Sequence, residues 1–499
     1  MASERSREVA SPETQVDEQI VRRFGYKQEL NRALSAFASF AIAFSVISIT
    51  TGIFTNYGIG VGIGGPVGIW SWVMVGIGQI FVGLFIAELA GRVPLAGAGY
   101  QWSSRLVNIQ FGWFIAFSCG LIFIIFVTPV MNLAMANIIV TLLGVEANPI
   151  VIGFIATALI AIEVLINIFG VRLLAAINNV AVITEIVGTV GIALIVLVVV
   201  LGKPVNPPEF LFMGAGPNGE FVLGAFLMAA IMGMFTLVGF EAAANLGEET
   251  KSAHLTVPKA INVSIISSVV FGLIILICFT IAIPDLAATL GSPSPLAYVI
   301  QYHLGEIGGL IALLVVLYSM FACILVGTTS TSRFVYSLSR DNMLPWSSTW
   351  SRINRRWQTP INALALMGCL NGAMVWVSIS LSEGYTLFAG MSAVLPFLGY
   401  WAILVAYLWK KDRLPKLPGA FDMGKWSRPV NIVAILWMTL GLLLLTVPEE
   451  FHMNGLVSLG AIVLTWIWYL ALLHRKVQRG EAGPGRGFEE EAQFQPRAG

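Results

Sequence analysis

The residues best able to do chemistry in this chain are acids in apolar surroundings. Glu163 lies in IATALIAIEVLINIF, Glu185 in NNVAVITEIVGTVGIAL, and Glu241 directly follows MFTLVGF. A charged acid at the centre of a membrane helix costs roughly 2.5–3.5 kcal/mol on insertion scales, so each is a candidate for binding or proton transfer. Two poorly helical stretches accompany them, Ser48 to Gly52 and Thr236 to Gly239, which combine β-branched, hydroxylic and glycine residues. A helix that opens at Gly52 would begin its second half with the N–H groups of Thr51, Gly52 and Ile53, a positive dipole end suited to a carboxylate. A helix that opens near Gly239 would end its first half with the carbonyls of Phe235, Thr236 and Val238, which accept from an ammonium group. One cavity would then recognise both ends of an amino acid. The same glycines would also serve helix packing alone, and it is the neighbouring acids that favour a site. Glu163, nearer one end of its stretch, has the alternative of a hydrogen bond tying helices together, and Glu88 reads as interfacial.

The elements that must position these groups are membrane helices. Of 499 residues 57% are hydrophobic and 11% charged, with a mean hydropathy of +0.83. The 28 basic and 27 acidic residues are too few to solvate a soluble chain of this length. A net charge of +1 provides no field to attract nucleic acid. Twelve apolar stretches are long enough to cross hydrocarbon, near 34–64, 67–90, 112–143, 150–169, 174–201, 222–247, 258–283, 307–338, 361–380, 385–409, 429–447 and 455–473. With residues 1–33 placed in the cytoplasm, all of the 28 basic residues except Lys203 fall inside, while Glu146, Glu209, Glu220, Asp285, Glu306, Glu383, Glu449 and Glu450 fall outside. The positive-inside rule therefore puts both termini in the cytoplasm. Residues 1–21 read as a polar tail without a secretory signal. Arg22 to Ser35, with Phe24, Leu30 and Leu34 at helical spacing, reads as a short helix on the inner membrane surface. Residues 474–499 read as a second cytoplasmic tail.

Other motifs carry less. GVGIGG at Gly60 to Gly65 satisfies the GxGxxG pattern without a preceding strand, and its small-xxx-small spacing, with Gly58, Gly60, Gly62 and Gly64, predicts close helix packing. Cys119, Cys278, Cys323 and Cys369 are isolated within spans and predict packing rather than disulfides. His254, His303, His452 and His474 lie in loops or at span ends without metal-ligand spacing, so neither a metal nor a cofactor is expected. With His, Asp, Lys and Arg kept to loops and span ends, a membrane enzyme is not expected either.

FGYKQELNRALS before the first span, SVISITTGIFTNYG within it, AELAGRVPLAGAGYQWSSRL, GFEAAANLGEETKSAHLTVPKAI and TSRFVYSLSRDNMLPW occur in that order from about residue 24 to 350. With these motifs the chain resembles the amino acid-polyamine-organocation superfamily, and within it the amino-acid/choline permease branch. The resemblance implies an all-α polytopic membrane fold of twelve helices: two inverted five-helix repeats, 34–201 and 222–409, with discontinuous helices 1 and 6, and two further helices in 429–473. It implies that Thr51 and Gly52 bind a substrate carboxylate while the Ser48 carbonyl faces the amine. It also implies that Phe235 covers the substrate, that Val238 contributes a carbonyl, and that Glu241 is linked to proton sensing. Relatives that carry a lysine in an NNxxVxxKI-like stretch of span 5 use its ammonium in place of sodium, whereas this chain reads NNVAVITEI and has Glu185 there. Glu185 is therefore expected to carry the coupling proton or to help hold a cationic head group.

These observations lead to an expected secondary permease in the cell membrane, surrounded by lipid, that moves an amino acid or related amine by alternating access with a proton as coupling ion. A polyamine or choline permease and an amino-acid exchanger stay open on the same fold, and a nutrient sensor or channel is the alternative class. The P-loop sequence of a nucleotide-driven pump is absent from the chain.

Overall fold

The computed structural model describes residues 12–485, apart from 147, 293, 382 and 383. Among the described residues the regular secondary structure is helical, with an isolated parallel bridge between Leu34 and Thr250. Ten helices are long and apolar enough to cross a membrane, which makes this an integral, multi-pass architecture.

The described residues begin with α1 (Pro12–Arg23) and then form α2 (Ala36–Ile47) and α3 (Ile49–Gly64), the two halves of the first span. There follow α4 (Pro66–Arg92), the short α5 (Ala98–Leu106), α6 (Ile109–Leu142), α7 (Pro149–Ile168) and α8 (Val171–Gly202). The sixth expected span is α9 (Leu223–Thr236), an unwound stretch and the single turn α10 (Ala242–Asn245). The remaining long helices are α11 (Ala253–Ile281), α12 (Pro295–Arg340), α13 (Ile361–Ser380), α14 (Gly384–Lys410), α15 (Gly424–Thr446) and α16 (His452–Gln478). At 46 residues α12 is far longer than a bilayer is thick, and Gly305 at φ 74° kinks it just before the expected start of its span at 307.

Small residues allow these helices to approach closely. Gly60 and Gly64 of α3 seat Met232 and Ala229 of α9, whereas Gly62 faces open space, so the GVGIGG run does pack a helix, along one face only. On α4, the indole of Trp72 donates to Val269 O of α11 at 2.9 Å and lies against Gly272.

The first and last described segments meet on one face of the bundle, called here the terminal face, opposite a far face. The N-terminal reading needs correction. The helix spans Pro12–Arg23 rather than 22–35, because Gly25 at φ 84° marks its end. Residues 24–35 then run largely non-helical and pair with the 249–251 segment through Leu34 N to Glu249 O at 2.9 Å and Lys251 N to Leu34 O at 3.1 Å. Phe24, Leu30 and Leu34 are buried in protein rather than laid on lipid. Of the two expected tails, residues 12–21 are helical and 481–485 pack on the bundle, while 1–11 and 486–499 lie outside the described residues. Glu88, one turn from the terminal-face end of α4, packs inside the protein. It is fully buried, 2.8 Å from Arg92 Nη2 one helical turn on, and accepts from the Ser427 hydroxyl at 3.1 Å.

Candidate functional site

Both weak points in the sequence are breaks. Ser48 takes φ 41°, ψ 79°, a left-handed conformation unusual for a side-chain-bearing residue, and thereby caps α2 and starts α3 at once. In span 6 the Val238 N–H donates to Thr236 O at 3.0 Å across Leu237, closing a γ-type turn, and Gly239 then takes φ 86°, so the helix cannot continue. The breaks interlock. A Cβ on Gly239 would stand 2.5 Å from Val46 Cγ1, and one on Gly52 would collide with the Thr236 side chain. Gly52 is therefore needed for helix contact as well as for an open cavity wall.

Between the breaks lies a cavity of about 420 Å³, lined among others by Ser48, Thr51, Gly52, Phe235, Val238 and Glu241. This is a volume suited to a small molecule. Of the expected site residues, Ile53, Thr236 and Glu185 do not line it. Ile53 is wholly buried in the hydrophobic core, and Thr236 bonds Met232 O and fills the space over Gly52.

The backbone groups expected to meet a ligand are largely occupied. The Thr51 N–H points to Ser48 Oγ at 3.4 Å, and the Gly52 N–H donates to Ser48 O at 2.9 Å, so this carbonyl closes the first turn of α3 with one of its two lone pairs. Thr236 O is similarly taken by Val238. The acceptor at the start of α3 is Glu185. Its Oε1 accepts from the Thr50 N–H at 3.0 Å and stands 3.2 Å from Ser48 Oγ, while Thr50 Oγ1 lies 2.7 Å from Thr189 Oγ1 one turn beyond. The carboxyl thus sits where free N–H groups and the helix dipole favour negative charge. A π-helical segment, Glu185–Val190, starts at this residue, a local irregularity often associated with function. Glu185 is buried just behind the cavity wall, whereas Glu241 lines the cavity and accepts from the Tyr400 hydroxyl, whose ring stacks on Phe240.

Sequence reasoning missed several lining residues, including Tyr400, Asn56, Asn245 and Phe334. Asn56 and Asn245 stand four positions beyond Gly52 and Glu241, and the proximity of polar side chains to each break was the available signal. Tyr400 gave none, being an aromatic in an apolar stretch, whereas Phe334 lies in the TSRFVYSLSRDNMLPW motif without a signal that it faces a cavity.

The two ends of the cavity differ. Toward the terminal face its lining residues Trp102, Ser330 and Phe334 are 1%, 5% and 6% exposed, whereas toward the far face Ile59 is 41% exposed and Thr55 is open as well. Below the closed end, Arg333 makes a two-pronged contact with Glu249 at 2.8 Å and Arg340 one with Glu248 at 3.0 Å. The Arg340 guanidinium lies 3.7 Å over the Tyr26 ring, and the Tyr26 hydroxyl reaches Asp341 at 2.9 Å and accepts from Gly485 N at 2.9 Å.

Comparison with known proteins places this sequence among transport proteins. A family profile described as amino acid permease matches residues 34–468. An amino-acid permease of Arabidopsis thaliana is 26% identical over 486 residues, covering 90% of this chain and 93% of its own. A thiamine transporter of Schizosaccharomyces pombe is 23% identical, covering 88% and 81%, and a GABA-specific permease of Saccharomyces cerevisiae is 24% identical, covering 93% and 84%.

Proposed function

This chain belongs to the amino acid permease family, and from that premise we propose that it is a proton-coupled secondary transporter of an amino acid or related amine, working by alternating access between two inverted repeats. The observation that carries the reading is a cavity formed where two broken helices interlock, with Glu241 on its wall and Glu185 on the amides of α3 just behind it. The asymmetry of basic residues supports a cytoplasmic terminal face and a far face outside the cell membrane. Glu185 is the switch of this mechanism. A substrate carboxylate that takes the α3 donors displaces a carboxyl already there, and proton uptake by Glu185 makes that exchange electrically neutral at the helix end. Ser48, Thr51, Gly52, Phe235 and Val238 form the binding surface, with Glu241 and Tyr400 at the amine end.

A second reading, an amine without a carboxylate such as choline or a polyamine, draws on one observation. The Thr50, Thr51 and Gly52 N–H groups already have partners, and the charged residue on the wall is an acid. Uptake into proteoliposomes of labelled amino acids, γ-aminobutyrate, choline and polyamines, with and without an inward proton gradient, separates the two. Gradient-driven accumulation of a carboxylate-bearing substrate is expected. Uptake restricted to choline or polyamines would replace the first reading by the second, and binding without flux would favour a sensor. Glu185→Gln is expected to retain folding and remove the gradient's effect on uptake, and an unchanged pH profile with unchanged substrate preference would remove Glu185 from the mechanism.

A further inference from the structure

The closed end of the cavity is made by two elements. Trp102 comes from α5, Ser330 and Phe334 come from α12, and all three are buried. Beneath them the same elements are joined directly, where Gln101 Nε2 of α5 donates to the Ser337 hydroxyl of α12 at 2.9 Å. Opening this end requires α5 and α12 to part.

A third segment spans that junction. After α16 the chain turns at Gly480, φ 70°, and residues 481–485 (EAGPG) cross the terminal face. Asn342, just beyond α12, donates its side-chain amide to Glu481 O at 2.8 Å, and the Gly483 N–H donates to Asp341 O at 2.9 Å. Two residues on, Arg105 Nη2 of α5 donates to Gly485 O at 3.2 Å, and the Gly485 N–H donates to the Tyr26 hydroxyl at 2.9 Å. The segment thus holds the end of α12 on one side and α5 with the N-terminal residues on the other. Within it, Ala482 is 6% exposed and packs in the apolar cluster of Tyr100, Trp113 and Met343.

The fit depends on this sequence. A Cβ on Gly485 would stand 2.7 Å from Phe24 O, a backbone atom that cannot swing aside as a side chain does. Gly483 takes φ 139°, a conformation that favours glycine. A tail packed for stability alone need touch only one element, whereas this one bonds to elements that must separate. Its contacts are a few hydrogen bonds and one buried methyl group, a set small enough to break locally without unfolding the bundle.

We infer that residues 481–485 are an autoinhibitory strap, which ties α12 to α5 and the N-terminal residues and holds the terminal end of the cavity shut. Undocking the strap removes contacts made only in the closed state, and so raises the population open at this end. The consequence for transport rests on the alternating-access reading. The docking, and its effect on access to the cavity, do not.

Two cysteines, introduced singly into the whole chain with its native cysteines replaced, read the strap and the cavity. They are Ala482→Cys and Ser330→Cys, probed with a membrane-impermeant thiol reagent on the terminal face, and both are expected to label slowly. Gly485→Val, which cannot seat against Phe24 O, is expected to raise labelling at both several-fold and to leave the melting temperature in detergent near that of the parent. Should that variant not fold, Asn342→Gly removes the amide while tolerating the φ of 57° at this position, and the same rise is expected. Rapid labelling of Ala482→Cys in the parent would mean that the strap is not docked. Exposure of Ala482→Cys with Ser330→Cys still shielded would mean that it only packs. Either result overturns the proposal, as does a strap that neither substitution releases. Absence of uptake by the wild type in proteoliposomes would count against the transporter reading and leave the strap, as read by labelling, unaffected.

Discussion

The terminal and far ends of the cavity are built from different chemistry. Among the described residues the ion pairs all lie toward the terminal face, from Arg333–Glu249 and Arg340–Glu248 to Arg92–Glu88 and the outer pair Lys416–Asp422. The far end has hydroxyl, amide and aliphatic groups, Thr55, Asn56 and Ile59, on a half-helix packed through Gly60 and Gly64. Small-residue packing has few directional bonds to break, whereas buried ion pairs open only by stripping a charge of its partner. The difference assigns the ends different energetic roles. On the alternating-access reading, the terminal face would be a latch with a defined closed geometry, and the far face would be the end that moves at small cost.

The largest effect is expected from breaking the latch. Arg333 and Glu249 are 1% and 0% exposed, so Glu249→Ala leaves a buried guanidinium unpaired and should cost about 3–5 kcal/mol, read as a lowered melting temperature in detergent. Replacing both partners, Glu249→Leu with Arg333→Met, should recover most of that loss, since the desolvated charge is removed with its partner. Melting of the single variant at the wild-type temperature would mean that the pair does not hold the face.

Asp341 tunes the same latch more gently. It lies just beyond α12, and burial raises its carboxyl from 3.8 to about 6, against the opposing pull of Arg340 and Arg105 and of the Tyr26 and Tyr100 hydroxyls. The closed face therefore binds a proton that a solvated aspartate releases near 3.8. Stability contributed by that proton is present at the acid end, is lost as pH rises from about 4 to about 6, and is flat above. Melting curves of wild type should show this slope and those of Asp341→Asn should lack it. A slope of opposite sign, or one that survives the substitution, would remove Asp341 from the latch.

Much of this contrast was legible in the sequence, for reasons that also mark where legibility stopped. The breaks were visible because Ser48, Thr50, Thr51 and Gly52, and likewise Thr236 and Gly239, disfavour helix locally, and a local preference can be read without knowing the fold. The occupants of the breaks were not. That Glu185 takes the Thr50 N–H, that Thr236 covers Gly52, and that the Ser48 carbonyl accepts from Gly52 are contacts set by helix register and packing. Leu34 and Phe24 show the same limit at the terminal face. Their spacing suited a membrane-surface helix, but the protein offers them a buried groove, and burial outweighs local periodicity. Glu163 stood out as an intramembrane acid, but that its carboxyl meets the Thr328 hydroxyl of α12 is likewise a matter of packing.

The smallest effect on stability and the sharpest test of the contrast come from single cysteines at the two ends. Ile59→Cys and Ser330→Cys each alter one lining side chain, 41% and 5% exposed, with little change in packing expected at the exposed site. In a background with the native cysteines replaced, a membrane-impermeant thiol reagent applied to the far face should label Ile59→Cys rapidly, and applied to the terminal face should leave Ser330→Cys almost unlabelled. Adding Glu249→Ala should raise labelling at Ser330→Cys from the terminal face while lowering it at Ile59→Cys from the other, because an alternating-access protein that loses one seal gains population in the opposite state. Were both sites to become more reactive together, the latch would be holding the fold rather than choosing between two states, and the asymmetry of the cavity would be a matter of stability alone.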